Sequence, residues 1–76
     1  MKNKIIDIIA KNLKYESLSV DGGESKYEVN IVSDEFDGLS IIQRHKLIYA
    51  LLDNFIKTGE IHALTIKAKT PSESVS

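Results

Sequence analysis

Two histidines, His45 and His62, and a run of three bases, Arg44, His45 and Lys46, are the side chains here with the widest chemical reach. Imidazole ligates transition metals and exchanges a proton near neutral pH. Its company in this chain narrows those options. There is no cysteine, which removes a thiol nucleophile, a disulfide and a thiolate metal site. No hydroxyl nucleophile or carboxylate stands at a recognisable spacing from either histidine, and neither Gly-x-Ser-x-Gly nor a phosphate-binding P-loop occurs. The chain reads as a non-enzyme. The acids Asp34, Glu35 and Asp37 lack the ligand spacing of a calcium loop and read as a solvated loop.

The cations Arg44, Lys46, Lys67 and Lys69 raise a second chemistry, contact with nucleic-acid phosphates, which needs positive charge but no particular motif. The formal net charge of -1 is not that of a dedicated nucleic-acid binder. The distribution is more polar than the total: residues 21–37 carry six acids against Lys26, and residues 40–70 carry five bases against two acids. Arg44 and Lys46 are expected to face solvent on either side of His45, which leans toward the apolar stripe of its helix. None of Gly22, Gly23, Gly38 and Gly59 forms a Gly-x-x-Gly phosphate clamp, and the five Tyr and Phe residues show no basic-aromatic pattern for base stacking. A modest, salt-sensitive DNA affinity through a basic helix and strand is what remains.

These residues must be positioned by a short series of elements. Ile5, Ile8, Ile9 and Leu13 recur at helical spacing, so residues 3–13 read as an amphipathic helix capped by Asn3. "YESLSVD" and "YEVNIVS" alternate with period two around "DGGESK", the pattern of an antiparallel hairpin with a glycine turn. "DEFDG" reads as a loop. Ser40 with Gln43 three residues on is a capping box opening a helix over residues 41–57, whose stripe is Ile41, Ile48, Leu51, Leu52, Phe55 and Ile56. Gly59 suits the left-handed residue that ends it. "EIHALTIKAK" alternates again, placing His62 on the side of Leu64, Ile66 and Ala68, until Pro71. The order α-β-β-α-β predicts an α/β fold of α+β sandwich type. Its three-stranded mixed sheet pairs the hairpin antiparallel and the last strand parallel, with helices on one face.

Seventy-six residues bound this to one domain with one core, and the 42% hydrophobic content must supply the stability unaided. Residues 1–71 are expected to form the domain and residues 72–76 a frayed tail, although Thr70-Pro71-Ser72-Glu73 is also a helix start. "MKNKIIDIIAK" is interrupted by Asp7 and lacks a signal-peptide cleavage site, and no apolar run reaches membrane-spanning length. A soluble cytoplasmic protein without membrane association is expected.

"FDGLSIIQRHKLIYALL" followed by "GEIHALTIKAKTP" resembles the BolA-like family, in its short bacterial BolA/IbaG-like branch. The signature is carried by Phe36, Gly38, Arg44, His45, Ile48, the Ile61-His62-Ala63-Leu64 segment and Thr70-Pro71. The resemblance implies a fold like that of class II KH domains. It also implies a non-enzymatic partner of a monothiol glutaredoxin in iron–sulfur cluster trafficking or iron and stress regulation. For the bacterial branch it implies a DNA-binding transcriptional regulator as the alternative. In the family's cluster-bound heterodimer, a [2Fe–2S] cluster is shared with glutaredoxin and glutathione, and the histidine of the Ile-His-Ala-Leu segment is a ligand. That role falls on His62. The second ligand position falls on Lys26, where an ammonium is unsuited. No cofactor is implied for the free chain, which is expected to be a monomer or weak homodimer.

Overall fold

A computed structural model describes residues 1–75. Its elements are α1 (Lys2–Asn12), β1 (Ser17–Gly23), β2 (Lys26–Val32), a 3-10 turn (Asp34–Phe36), α2 (Ile41–Leu51), α3 (Asp53–Lys57), β3 (Ala63–Lys69) and α4 (Pro71–Ser74). The sheet order is β1-β2-β3, with β1 antiparallel and β3 parallel to the central β2. The expected mixed sheet and α-β-β-α-β framework are therefore present.

Alternation along each strand sets the two faces. Val20, Val29, Ile31 and Ile66 are buried beneath the helices, together with Ile5, Ile9 and Leu13 at the α1 side and Ile48 and Leu52 from the second helical segment. The opposite face carries Ser19, Asp21, Glu28, Asn30, Thr65 and Lys67, so one side of the sheet is polar, as antiparallel pairing permits.

Several local expectations are corrected. Asn3 is inside α1 and does not cap it; the cap position is Met1, with no side-chain hydrogen bond. Gly22 and Gly23 belong to β1, and the hairpin turns through Glu24 and Ser25, at φ 52° and 69°. Register decides this: Gly23 pairs with Lys26, leaving two loop residues with positive φ, the pattern of a tight type I′ turn. Gly22 has its own reason to be glycine. At φ 113°, a Cβ there would lie 2.1 Å from the Lys26 carbonyl oxygen.

"DEFDG" is more than a loop. Ser33 Oγ accepts from the Glu35 N–H at 3.0 Å and donates to the Lys14 carbonyl, while the Lys14 N–H donates to the Glu35 carboxylate. The turn thereby staples the α1–β1 link and drives Phe36 fully into the core. The capping box of Ser40 and Gln43 is present, at 3.1 Å and 2.9 Å. The long second helix breaks at Leu52 (φ -103°, ψ 9°) into α2 and α3. Ile41 leaves the expected stripe and is 66% exposed. As the first helical residue, its backward-tilted Cβ carries it off the end of the packed face. Gly59 takes the expected left-handed conformation at φ 82°. The helix start read at Thr70–Glu73 is present as α4, opened by a second capping box of Thr70 and Glu73 with Pro71 as its first residue; Ser76 lies outside the described residues. Among the described residues no helix is long and apolar enough to cross a membrane.

Candidate functional site

Two places collect the residues singled out from the sequence. The first is the seam between the hairpin tip and the start of β3. The Ser25 carbonyl, just after the left-handed turn, accepts from both His62 N–H (2.6 Å) and Ala63 N–H (3.1 Å). Ala63 is then the parallel partner of Lys26. His62 is thus pinned by its backbone beside residues 25 and 26, and its side chain is exposed. It does not share the buried face of Leu64, Ile66 and Ala68, because β3 begins only at Ala63 and the strand's alternation does not extend back to it. Among the described residues no hydrogen bond or ion pair engages the imidazole, so neither ring nitrogen is occupied from within the chain.

Lys26 is exposed at the closing pair of the hairpin. An ammonium has three donors and no lone pair, so it offers a cluster iron nothing while protonated. Among the described residues no group of three or more His, Cys, Asp or Glu side chains is placed to hold a metal ion. This seam therefore presents one exposed imidazole beside one exposed ammonium.

The second place is the head of α2 against the outer edge of β3. Here the expectation for Arg44 is overturned. Its side chain does not flank His45 toward solvent; Arg44 is only 7% exposed. Nε donates to the Leu39 carbonyl at 3.0 Å and Nη1 to the Ala68 carbonyl at 3.1 Å. Nη1 and Nη2 grip the two oxygens of Glu73 at 2.6 Å and 3.0 Å, a bidentate pair. The guanidinium also lies over the Phe36 ring, 5.9 Å from its centroid. The physical reason is pairing: a cation this buried is held only where its donors are matched. Arg44 hydrogen-bonded to Glu73, with the Thr70 N–H as a further donor, pulls the Glu73 carboxyl down to about 2. The same bond to Glu73 raises Arg44.

The signature residues Phe36, Gly38 and Arg44 thus build one joint. Phe36 anchors it in the core, Gly38 turns the chain at φ 80°, and Leu39 presents its carbonyl to Arg44. His45 is half-buried on the wall of an open groove of about 460 Å³, which also takes in Arg44, Lys67, Lys69 and Glu73. Lys46 is exposed on α2 but is not among the groove's walls. Lys67 is bonded to Glu28 at 3.1 Å, and that bond to Lys67, ahead of one to Asn30, lowers the Glu28 carboxyl. Of the four cations proposed for nucleic acid, Arg44 is buried in an internal pair, while Lys46, Lys67 and Lys69 are exposed and Lys67 is salt-bridged to Glu28.

Glu73 is the site residue that sequence reasoning missed. The Thr-Pro-x-Glu pattern signals a capping box, but nothing local reveals that the same carboxylate reaches Arg44, 29 positions earlier. Tyr49 was missed as well: its hydroxyl donates to the Leu64 carbonyl at 3.3 Å. With Arg44 on Ala68, it covers outward-facing carbonyls on the free edge of β3, which blunts that edge against strand addition.

Comparison with known proteins places this arrangement. The family described as BolA-like protein matches residues 2–73. A BolA-like protein of Dictyostelium discoideum is 36% identical, over 96% of this chain and 73% of its own length. The acid stress protein IbaG of Escherichia coli is 34% identical, over 93% of this chain and 84% of its own. Other curated relatives are much longer, and the chain spans 48% and 14% of two of them. The solved structure of BolA1 from Arabidopsis thaliana superposes with a TM-score of 0.87 at 34% identity, covering 95% of this chain and 93% of that one.

Proposed function

Given that the chain belongs to the BolA-like protein family, we propose that it is a non-enzymatic interaction module. It docks a monothiol glutaredoxin through the His62 seam and takes part in iron–sulfur cluster handling or iron-linked and stress-linked regulation. The observation that carries this reading is the presentation of His62: an exposed imidazole with no internal partner among the described residues, held by its backbone N–H on the Ser25 carbonyl. A histidine kept only for packing is buried or bonded, and this one is neither. The designation of the Escherichia coli relative as an acid stress protein supports the stress-linked setting.

The cluster here is cargo shared with the partner. This chain's contribution is one neutral imidazole nitrogen, which in place of a thiolate raises a cluster's potential. Lys26 contributes charge and no ligand, which leaves docking itself untouched. The DNA-binding alternative is the weaker reading. It keeps Lys46 and Lys69, and it loses Arg44 to Glu73.

Titrating the protein with cluster-loaded monothiol glutaredoxin, followed by visible circular dichroism, tests the proposal. A new cluster spectrum is expected in the wild type and not in His62→Ala. Binding by calorimetry without any spectral change would reduce the role to docking. Absence of binding would overturn the proposal and turn attention to salt-dependent DNA binding by Lys46 and Lys69 variants.

A further inference from the structure

The clasp between Arg44 and Glu73 has the features of a binding site occupied by the chain's own carboxylate. Arg44 is oriented by groups other than Glu73. Nε is fixed on the Leu39 carbonyl, Nη1 is shared with the Ala68 carbonyl, and Cζ lies 5.9 Å from the Phe36 ring centroid. The fork therefore stays aimed in one direction whether or not Glu73 is in place. What it aims at is a bidentate oxyanion.

The oxyanion present is carried on a weak element. Glu73 is on α4, a helix of four residues in the last turn of the described chain, and its side chain is 46% exposed while that of Arg44 is 8% exposed. Beside the clasp lies the groove of about 460 Å³, walled by His45 and Lys69 as well as Arg44 and Glu73. Lys69 is near enough to Glu73 for its charge to act on the carboxylate. An anion replacing Glu73 would meet the guanidinium, with a lysine and an imidazole on the same walls. A monocarboxylate from solution would gain nothing over the tethered Glu73, whose effective concentration is high. A dianion could gain, because it carries a second charge for Lys69 and His45.

We propose that the groove beside α4 is a site for a phosphate group, built on Arg44, Lys69 and His45, and that Glu73 closes it as a displaceable internal ligand. This reading is independent of glutaredoxin docking, since the His62 seam shares no residue with the groove.

Glu73→Gln isolates the charge, because glutamine can still serve the capping box with Thr70. The readout is the Arg44 Nε–Hε signal in nitrogen–proton NMR spectra, with inorganic phosphate titrated against chloride at matched ionic strength. Phosphate is expected to shift that signal in the wild type at high concentration, and in Glu73→Gln at concentrations at least roughly tenfold lower. Lys69→Gln in the Glu73→Gln background is expected to reverse most of that gain. Adenosine monophosphate in a parallel titration assigns the source. A matching shift supports a phosphate monoester as ligand, and a shift with phosphate alone supports the free anion. Equal phosphate affinity in wild type and Glu73→Gln, or shifts reproduced by chloride, would overturn the site. The wild-type titration alone decides the question if the variant does not fold: an Arg44 signal unmoved by phosphate overturns it too.

Discussion

Replacing Arg44 by lysine keeps the charge and removes the fork. The Leu39 carbonyl and one Glu73 oxygen lose their donors. Unmatched groups of this kind cost about 1–3 kcal/mol, which in a chain of this size lowers the melting temperature by roughly 4–24 °C. Thermal unfolding of Arg44→Lys measures it, and an unchanged midpoint would mean that the fork geometry contributes nothing beyond the charge. Glu73 adds a pH signature. Its carboxyl lies at about 2 in the folded protein against an ordinary 4.5, held by Arg44 and then by the Thr70 N–H. A depressed folded value stabilises the protein fully above pH 4.5, and the contribution disappears as pH falls toward 2. The gap in melting temperature between wild type and Glu73→Gln should be widest above pH 4.5 and shrink through that window. A gap independent of pH would show that the ion pair is not its source.

At the scale of elements, the hairpin turn is the place where local preference and observed conformation disagree. Glu24 and Ser25 both hold positive φ, a conformation favoured by Asn-Gly in two-residue hairpin loops. Glu24→Asn with Ser25→Gly should raise stability by about 1 kcal/mol, read as a higher urea midpoint with an unchanged slope. The reverse holds at Gly22, where alanine meets both the positive φ and the Lys26 carbonyl; Gly22→Ala should destabilise by about 1–3 kcal/mol in the same assay. The turn also shows what the sequence made legible. Period-two alternation gave the two strands and the existence of a hairpin. It did not give the register, because cross-strand pairing of Gly23 with Lys26 sets which residues become the loop. The capping box at Ser40 was readable because it is contained in four consecutive residues. The burial of Arg44 was not, because its partner is distant in the chain and a basic residue between two others reads as surface. The position of His62 was not readable, since spacing assigns it to the inward face of β3 whereas the strand begins only at Ala63 and leaves His62 exposed.

The whole molecule has one core, to which α1, the three strands, the 3-10 turn and the second helical segment all contribute. Phe36 is fully buried where these meet. Its replacement by alanine removes about 3–5 kcal/mol from a domain whose total stability is on the order of 5–10 kcal/mol. Urea unfolding of wild type should be a single transition, the same by far-ultraviolet circular dichroism and by tyrosine fluorescence. Phe36→Ala should unfold at a clearly lower urea midpoint, having lost from about a third to all of the wild-type stability. Separate transitions for the two probes would mean that the hairpin and the helices are independent units. The parallel pairing of β2 with β3 carries a further consequence, for the growing chain. β2 is the central strand, yet β3 follows it only after the whole helical crossover has been made. A nascent chain leaving the ribosome therefore displays β2 with one edge unpaired until residues 63–69 emerge. Closing that long loop also slows folding relative to a helical domain of equal size. Chains stalled or cut before Ala63 carry an open strand edge, and self-association through it is their expected fate.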